Sequence, residues 1–288
     1  GAALTGLRPI IIHQRLDFAL LSLDQIINNA AKWHYMFGGQ LKVPLVIRMV
    51  IGQGWGQGAQ HSQNLQTLFS HIPGLKVVMP ATAYDAKGLL ISSIRDNNPV
   101  IFIEHRWLHN ISGYVPEEYY SIPLGEGKIM KEGKDITIAA TSYMTIEAIK
   151  AAEYINKYEN ISVEVIDIRT LKPLDDKIII NSIKKTGRLL VLDSSYCSAG
   201  FAAEIIAKVS EKAYKHLKSA PKRITLPDIP TPSSPALTKY YYPNYLNIVK
   251  KILQIMNKSS ASIEKVLKNY YKKNKFIDVP DKSFSGPF

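Results

Sequence analysis

The segment Gly52-Gln-Gly-Trp-Gly-Gln-Gly-Ala-Gln-His61-Ser-Gln63 sets a histidine just beyond a glycine-rich turn. Glycines accept positive φ and let another molecule come close to the backbone. The run Val43 to Val50 before it reads as a buried strand, and Gln63 to Phe69 after it reads as the first turns of a helix. Strand, glycine turn and helix make a βα connection, and the positive end of the helix dipole disfavours a charged imidazolium. The expectation is a neutral, exposed His61. The spacing alone fits an ordinary loop with a solvated histidine equally well, because glycine-rich βα loops are common.

Three other constellations carry less. His105 and His109 stand four apart, a spacing at which a helix could offer both to zinc, but no Cys, Asp or Glu grouping completes a site. Ser194 and Ser195 lack the Gly-x-Ser-x-Gly elbow that would pair a serine with His216 for hydrolysis. The Gly52–Gly58 run departs from the Gly-x-Gly-x-x-Gly dinucleotide fingerprint and has no suitably spaced acid after it.

The elements that must position His61 follow from periodicity. Apolar strand-like runs alternate with helix-length segments twice over, which predicts an α/β protein of two domains with parallel sheets. In the first half, Ile10 to Gln14 leads into a helix from about Asp17, with Leu20, Leu23, Ile27, Ala30 and Ala31 on one stripe. Then come the Val43 strand, the helix after His61, the strand Leu75–Met79, the helix Ala83–Arg95 and the strand Pro99–Ile103. Residues 111–127 are rich in glycine and proline and read as a linker. In the second half the predicted strands are Asp135–Ala140, Ser162–Ile168, Arg188–Leu192 and Lys222–Leu226. The predicted helices are Ile146–Tyr158, Asp175–Lys185, Ala202–Leu217 and Asn244–Ile255. Pro227–Pro235 is a crossing loop, and residues 258–288 read as a basic, solvated tail with its cluster at Lys268, Lys272, Lys273 and Lys275. The domains are therefore expected at 1–110 and 128–257.

A chain of 288 residues with 46% hydrophobic and 21% charged residues is ordinary for a globular protein and long enough for two cores. The formal charge of +12 is dispersed and accompanies no nucleic-acid module, so no nucleic-acid partner is expected. No apolar run is long enough to cross a bilayer, and no membrane partner is expected. Cys197 is the single cysteine, which excludes an internal disulfide and points to a reducing compartment. The first residues open in mid-motif without an initiating methionine, which points to a truncated start.

Several motifs, in order along the chain, are shared with one family. They are Gly6-Leu-Arg-Pro9, Asp24-Gln-Ile-Ile-Asn-Asn-Ala-Ala-Lys32, Gly38-Gly39, His61-Ser-Gln63 and Pro73-Gly-Leu-Lys-Val-Val78. Further along are Asp85-Ala-Lys-Gly-Leu-Leu90, Arg95-Asp-Asn-Asn-Pro-Val100, Asp167-Ile-Arg-Thr-Leu-Lys-Pro173 and Lys185-Thr-Gly-Arg188. From residue 1 to about 255 the chain resembles the beta subunit of the thiamine diphosphate-dependent component of 2-oxo acid dehydrogenase complexes, the pyruvate and branched-chain enzymes. The resemblance implies a transketolase-type pyrimidine-binding domain, incomplete at its N-terminus, and a transketolase C-terminal α/β domain. Thiamine diphosphate would lie between this subunit and an alpha-type partner, with Mg2+ held by that partner; no Gly-Asp-Gly…Asn motif for it occurs here.

By the same resemblance His61 faces the reacting carbon of the cofactor, and Phe18 and Gln14 contact the cofactor as well. From the residues alone, Phe18 at a helix start reads as plain core. The stretch holding Ser93, Ile94, Asp96 and Asn98 resembles the family's structural potassium turn, although its composition also reads as a helix end closed by a polar turn before Pro99. The implied activity is decarboxylation of a 2-oxo acid, most of all pyruvate, and acylation of a lipoyl-bearing acyltransferase. The implied assembly is an α2β2 heterotetramer, in bacterial cytoplasm or the mitochondrial matrix. Family members activate the cofactor through a glutamate expected just ahead of Gly1, so the alternative expectation is a non-catalytic assembly subunit. Tyr240, Tyr241 and Tyr242 read as packed aromatics sooner than as an interface.

Overall fold

A computed structural model describes residues 1–52 and 56–273. It contains two five-stranded sheets of matching design, each with four parallel strands and one antiparallel strand at an edge. Sheet A uses β1 (Ile10–His13), β2 (Val46–Ile51), β3 (Lys76–Val78), β4 (Val100–His105) and β8 (Thr170–Lys172), in the order β1-β2-β4-β3-β8. Sheet B uses β5 (Lys128–Lys131), β6 (Ile136–Ala140), β7 (Val163–Asp167), β9 (Leu189–Tyr196) and β10 (Lys222–Leu226), in the order β10-β9-β6-β7-β5. The class is α/β, as the alternation of runs requires.

The helical segment after β1 is broken where the sequence predicts one helix. It comprises α1 (Leu16–Ala19), a 3-10 turn, a π-helical stretch (Gln25–Ala30) and α2 (Trp33–Met36). The wide π turn rotates the chain, so Leu16, Ala19, Ile26 and Ala31 are buried while Leu20, Leu23 and Ile27 are only partly covered. Two short helices, α3 (Gly58–His61) and α4 (Gln66–His71), replace the single helix expected after the glycine turn. The helix α5 (Ala83–Arg95) is capped by Thr82, whose hydroxyl accepts from Asp85 N at 3.1 Å. It packs on sheet A through Leu89 against Val78, Val100 and Phe102. The linker lies along it: Tyr120 donates to Tyr84 O at 2.8 Å and their rings stack at 4.5 Å.

Sheet B is covered on both faces. Alternation along β6 sends Ile136, Ile138 and Ala140 to α6 (Tyr143–Glu159) and α10 (Tyr245–Ile255), while Ala139 joins the core shared with α7 (Asp176–Thr186) and α8 (Phe201–Ala213). Thr137 on that second face bonds Ser182 and Thr186 of α7 at 2.6 and 2.7 Å. The core that includes Ala139 runs without interruption into Ile47, Met49, Ile101 and Ile103 of sheet A.

Two segments differ from the sequence reading. The helix α9 (Pro235–Tyr241) follows the proline-rich loop, with Pro235 at its first position, where a missing N–H costs nothing. The basic tail begins with a helix, α11 (Ala261–Lys273), that buries Ile263 and lays Leu267 and Tyr270 on the α10 layer while Lys268, Lys272 and Lys273 face solvent. Lys275 and the residues after it lie outside the described residues.

The halves are joined by β8, which leaves sheet B's neighbourhood and pairs antiparallel with β3. Just before it, Arg169 is buried and forms an ion pair with Asp85, which is fully buried on α5. Arg169 holds positive φ at 58° and donates its N–H to Asp167 Oδ1 at 3.1 Å. Burial, then the charge of Asp85, push the Asp167 carboxyl up to about 7, against the pull of the Arg169 N–H and guanidinium.

Candidate active site

The strands β1, β2 and β4 are parallel neighbours, so their C-terminal ends open on one side of sheet A. Residues 14–18, 52, 56–63 and 106–109 lie on the connections leaving them, beside Glu104 and His105 at the end of β4. His61 and Phe18 meet there, with ring centroids 5.3 Å apart in an edge-on arrangement. Phe18 is 42% exposed, so the plain-core reading of it does not hold. Gln14 stands exposed at the exit of β1, on the same connection as Phe18.

His61 differs from expectation in two respects. It closes the four-residue α3 rather than opening a long helix, so the positive helix end invoked above is not at its ring. The ring is half-buried rather than exposed, and its Nδ1 is buried without a hydrogen-bond partner among the described residues. Asp17 Oδ2 and Asn64 Oδ1 share that condition. Buried polar atoms left open in this way fit a site completed by a bound molecule or a second chain.

Among the described residues, Arg15 and Asp17 tie together the segments that carry the ring pair. The buried Arg15 donates from Nη1 to Gly52 O at 2.9 Å and from Nη2 to Gln57 Oε1. On the far side of His61, Gln63 Nε2 donates to Asp17 Oδ1 at 2.8 Å. Gly52 holds φ of 100°, and a Cβ there would stand 2.5 Å from His105 Nε2. Gln66, fully buried on α4, donates to Asp193 Oδ1 at 3.0 Å and so anchors this region to β9.

His105 and His109 do not share a helix, since a 3-10 turn separates the end of β4 from His109. His105 stacks on Tyr143 of α6 at 4.8 Å, and its Nδ1 accepts from Trp107 N at 3.2 Å. Burial lowers its pKa to about 3, with the charges of His109 and Arg15 adding to the effect. His105 is thus a neutral packing element between the halves. Glu104 is pushed upward by burial, but hydrogen bonds from His109 and Arg48 outweigh this and hold the carboxyl below its ordinary range. The Arg48 contacts measure 2.9 and 2.6 Å.

The turn holding Ser93, Ile94, Asp96 and Asn98 presents its oxygens to two side-chain cations. Arg8 Nη1 donates to Ile94 O and Asp96 O, both at 2.9 Å, and Lys76 pairs with Asp96 Oδ2. Ser93 Oγ donates to Leu89 O at 2.7 Å, and Asn98 donates N and Nδ2 to Asp96 Oδ1. Sequence reading missed Arg8 in this role. The donors reach the turn from 86 residues away, a distance at which spacing carries no signal.

Residues 1–110 match the transketolase pyrimidine-binding domain and residues 125–248 the transketolase C-terminal domain. The chain is 46% identical over 248 residues to the beta subunit of the acetoin:2,6-dichlorophenolindophenol oxidoreductase of Cupriavidus necator, covering 86% of this chain and 73% of that protein. It is 44% identical over 258 residues to the pyruvate dehydrogenase E1 component subunit beta of Rickettsia bellii, covering 88% and 79%. The chain belongs to this E1-type beta-subunit family. The fold of the E1-type beta chain is also that of a split-gene transketolase, described as an inactive beta4 tetramer, with a TM-score of 0.71 at 24% identity over 88% of this chain and 78% of that one. In this E1-type beta subunit, His61 and Phe18 are the predicted residues that the fold brings into contact. Arg15 and Asp17 went unnoticed, because their partners are set by the adjacency of β1 and β2 and not by any local motif.

Proposed function

We propose that this chain, with an alpha-type subunit, decarboxylates a 2-oxo acid on thiamine diphosphate and passes the acyl group to a lipoyl-bearing acyltransferase. The observation that carries the reading is the Phe18–His61 ring pair, with the buried, open Nδ1 of His61, at the C-terminal end of sheet A. The part-exposed Phe18 face fits the aromatic ring of the cofactor, and Gln14 lies on the same connection. Thiamine diphosphate supplies the electron sink for loss of CO2. His61 orients the substrate and exchanges a proton through its ring nitrogens, and its half-buried ring keeps bulk water from that side.

The diphosphate and its Mg2+ belong to the alpha-type chain in an α2β2 assembly, consistent with polar atoms left open on this side of the crevice. Pyruvate is the first substrate to assay, and the acetoin oxidoreductase relatives make acetoin the second; acetoin has no carboxyl group, so its C2–C3 bond would break, with acetaldehyde leaving in place of CO2 and the acetyl group passing to the lipoyl domain. A potassium ion at residues 93–98 would have to displace Arg8 from Ile94 O and Asp96 O. Thermal stability raised by K+ over choline would support that site. The compartment is bacterial cytoplasm or mitochondrial matrix.

The test is co-purification with the cognate alpha-type chain, followed by assay of lipoyl acylation across a panel of 2-oxo acids and acetoin, with CO2 release followed for the acids and acetaldehyde release for acetoin. His61→Ala should lower acylation by about 100-fold or more with the fold unchanged. A pair that binds thiamine diphosphate yet acylates equally well with His61→Ala would overturn the assignment. A pair in which no substrate reacts would instead favour a non-catalytic assembly subunit.

A further inference from the structure

The reach of His61 depends on how the two connections that flank the ring pair are held together. Phe18 belongs to the segment leaving β1 and His61 to the segment leaving β2, and neither lies inside a long helix that would fix it. Among the described residues, the connection from β1 grips the other at Gly52, Gln57 and Gln63. Arg15 takes Gly52 O at the loop's start and Gln57 Oε1 near its end, both upstream of His61. Asp17 takes Gln63 Nε2, two residues downstream. The ring contact at 5.3 Å sits between these ties. Arg15 is 3% exposed, so its fork cannot swing to solvent without opening the crevice.

We propose that Arg15 and Asp17 are positioning residues that set the His61 ring against Phe18. Arg15 fixes where the glycine loop delivers the chain, and Asp17 fixes the rotation of the short turn that ends in His61. The consequence for chemistry rests on the function proposed above; the geometric part does not. A guanidinium spans two acceptors on a loop in a way that an ammonium, as a single point of donors, does not reproduce. Asparagine at position 17 keeps an Oδ1 that accepts from Gln63, whereas alanine does not.

The test reads the ring directly. The full chain is prepared with 13C-labelled histidine rings, the Cε1–H signal of His61 is assigned with His61→Gln, and Phe18→Leu marks its position once the aromatic neighbour is gone. Arg15→Lys and Asp17→Ala should each move the His61 signal toward the Phe18→Leu position, with the His34 signal unmoved. Asp17→Asn should leave it where the unaltered protein has it. Gln57→Ala, at a half-buried loop position, should act like Arg15→Lys and serves where that variant does not fold. In the reconstituted pair, Arg15→Lys and Asp17→Ala should lower kcat on the order of tenfold with KM nearly unchanged.

A His61 signal unmoved in Gln57→Ala and Asp17→Ala overturns the proposal, as does Asp17→Asn behaving like Asp17→Ala. So does a displaced signal with kcat unaltered. If the signal moves as expected but the unaltered pair turns over none of the 2-oxo acids or acetoin, the positioning holds and the proposed function falls.

Discussion

Sheets A and B share one plan but are finished differently. Sheet B has β6, β7 and β9 buried almost throughout, and its parallel edge strand β10 opens on Lys222 and Arg223. Sheet A ends on β1, where Ile10, Ile11 and Ile12 are 43%, 44% and 59% exposed, and Leu7 and Leu21 in the same half are exposed as well. A parallel sheet is normally covered on both faces, and an open apolar edge invites another strand. The half of the molecule that carries His61 and Phe18 is thus the half that the described residues do not close. Such an asymmetry suits a subunit whose working crevice is completed by another polypeptide.

That contrast can be broken or sharpened by four measurements. Arg169→Ala leaves Asp85 buried and uncompensated where β8 closes sheet A, and should cost about 3–5 kcal/mol in urea unfolding. A loss below about 1 kcal/mol would show that the far edge of sheet A needs no ion pair. Ile138→Ala, in the centre of sheet B, should cost about 3 kcal/mol by the same assay.

Asp167→Asn tests the end of β7 through pH. Burial raises the folded carboxyl to about 7 from an ordinary 3.8, so the folded state holds the extra proton between them. The stability this contributes is complete below about pH 4 and is lost as pH rises to 7. Asp167→Asn should therefore gain progressively on the unaltered protein as pH rises across that window. His105, with its pKa lowered to about 3, gives the opposite slope between that value and 6.5, but it is present in both proteins and cancels in the difference. A gain that is flat with pH would refute the assignment. Smallest of all, Ile11→Ala on the open edge should change stability of the isolated chain by less than about 0.5 kcal/mol. A loss as large as that at Ile138 would mean β1 is buried in solution.

Much of the architecture was legible because parallel, doubly covered strands read as apolar runs, and β6, β7, β9 and β10 lie within a residue or two of their predicted places, apart from β9's longer C-terminal end. The two antiparallel edge strands were not, since Lys-Ile-Met-Lys in β5 and Thr-Leu-Lys in β8 are too short and polar to show alternation. In α11 the lysines hid an apolar stripe at Ile263, Leu267 and Tyr270, which has helical spacing. At the candidate site, the glycine-rich setting left His61 indistinguishable from a loop histidine and only the shared motifs singled it out, while its meeting with Phe18 follows once β1 and β2 are neighbours. Nothing in Gln14-Arg15-Leu16 announces that the Arg15 side chain turns inward to a carbonyl 37 residues away.

The crossing of β8 has a consequence for how the protein is made. On a ribosome, sheet A cannot take its last strand until residue 172 has emerged, long after residues 1–110 are available. The early part of a nascent chain must wait, with β3 unflanked, for a strand that belongs by sequence to the later part. Proteolytic nicking within residues 111–127 should accordingly leave two fragments that still migrate together, because strand pairing and the Arg169–Asp85 contact hold across the cut.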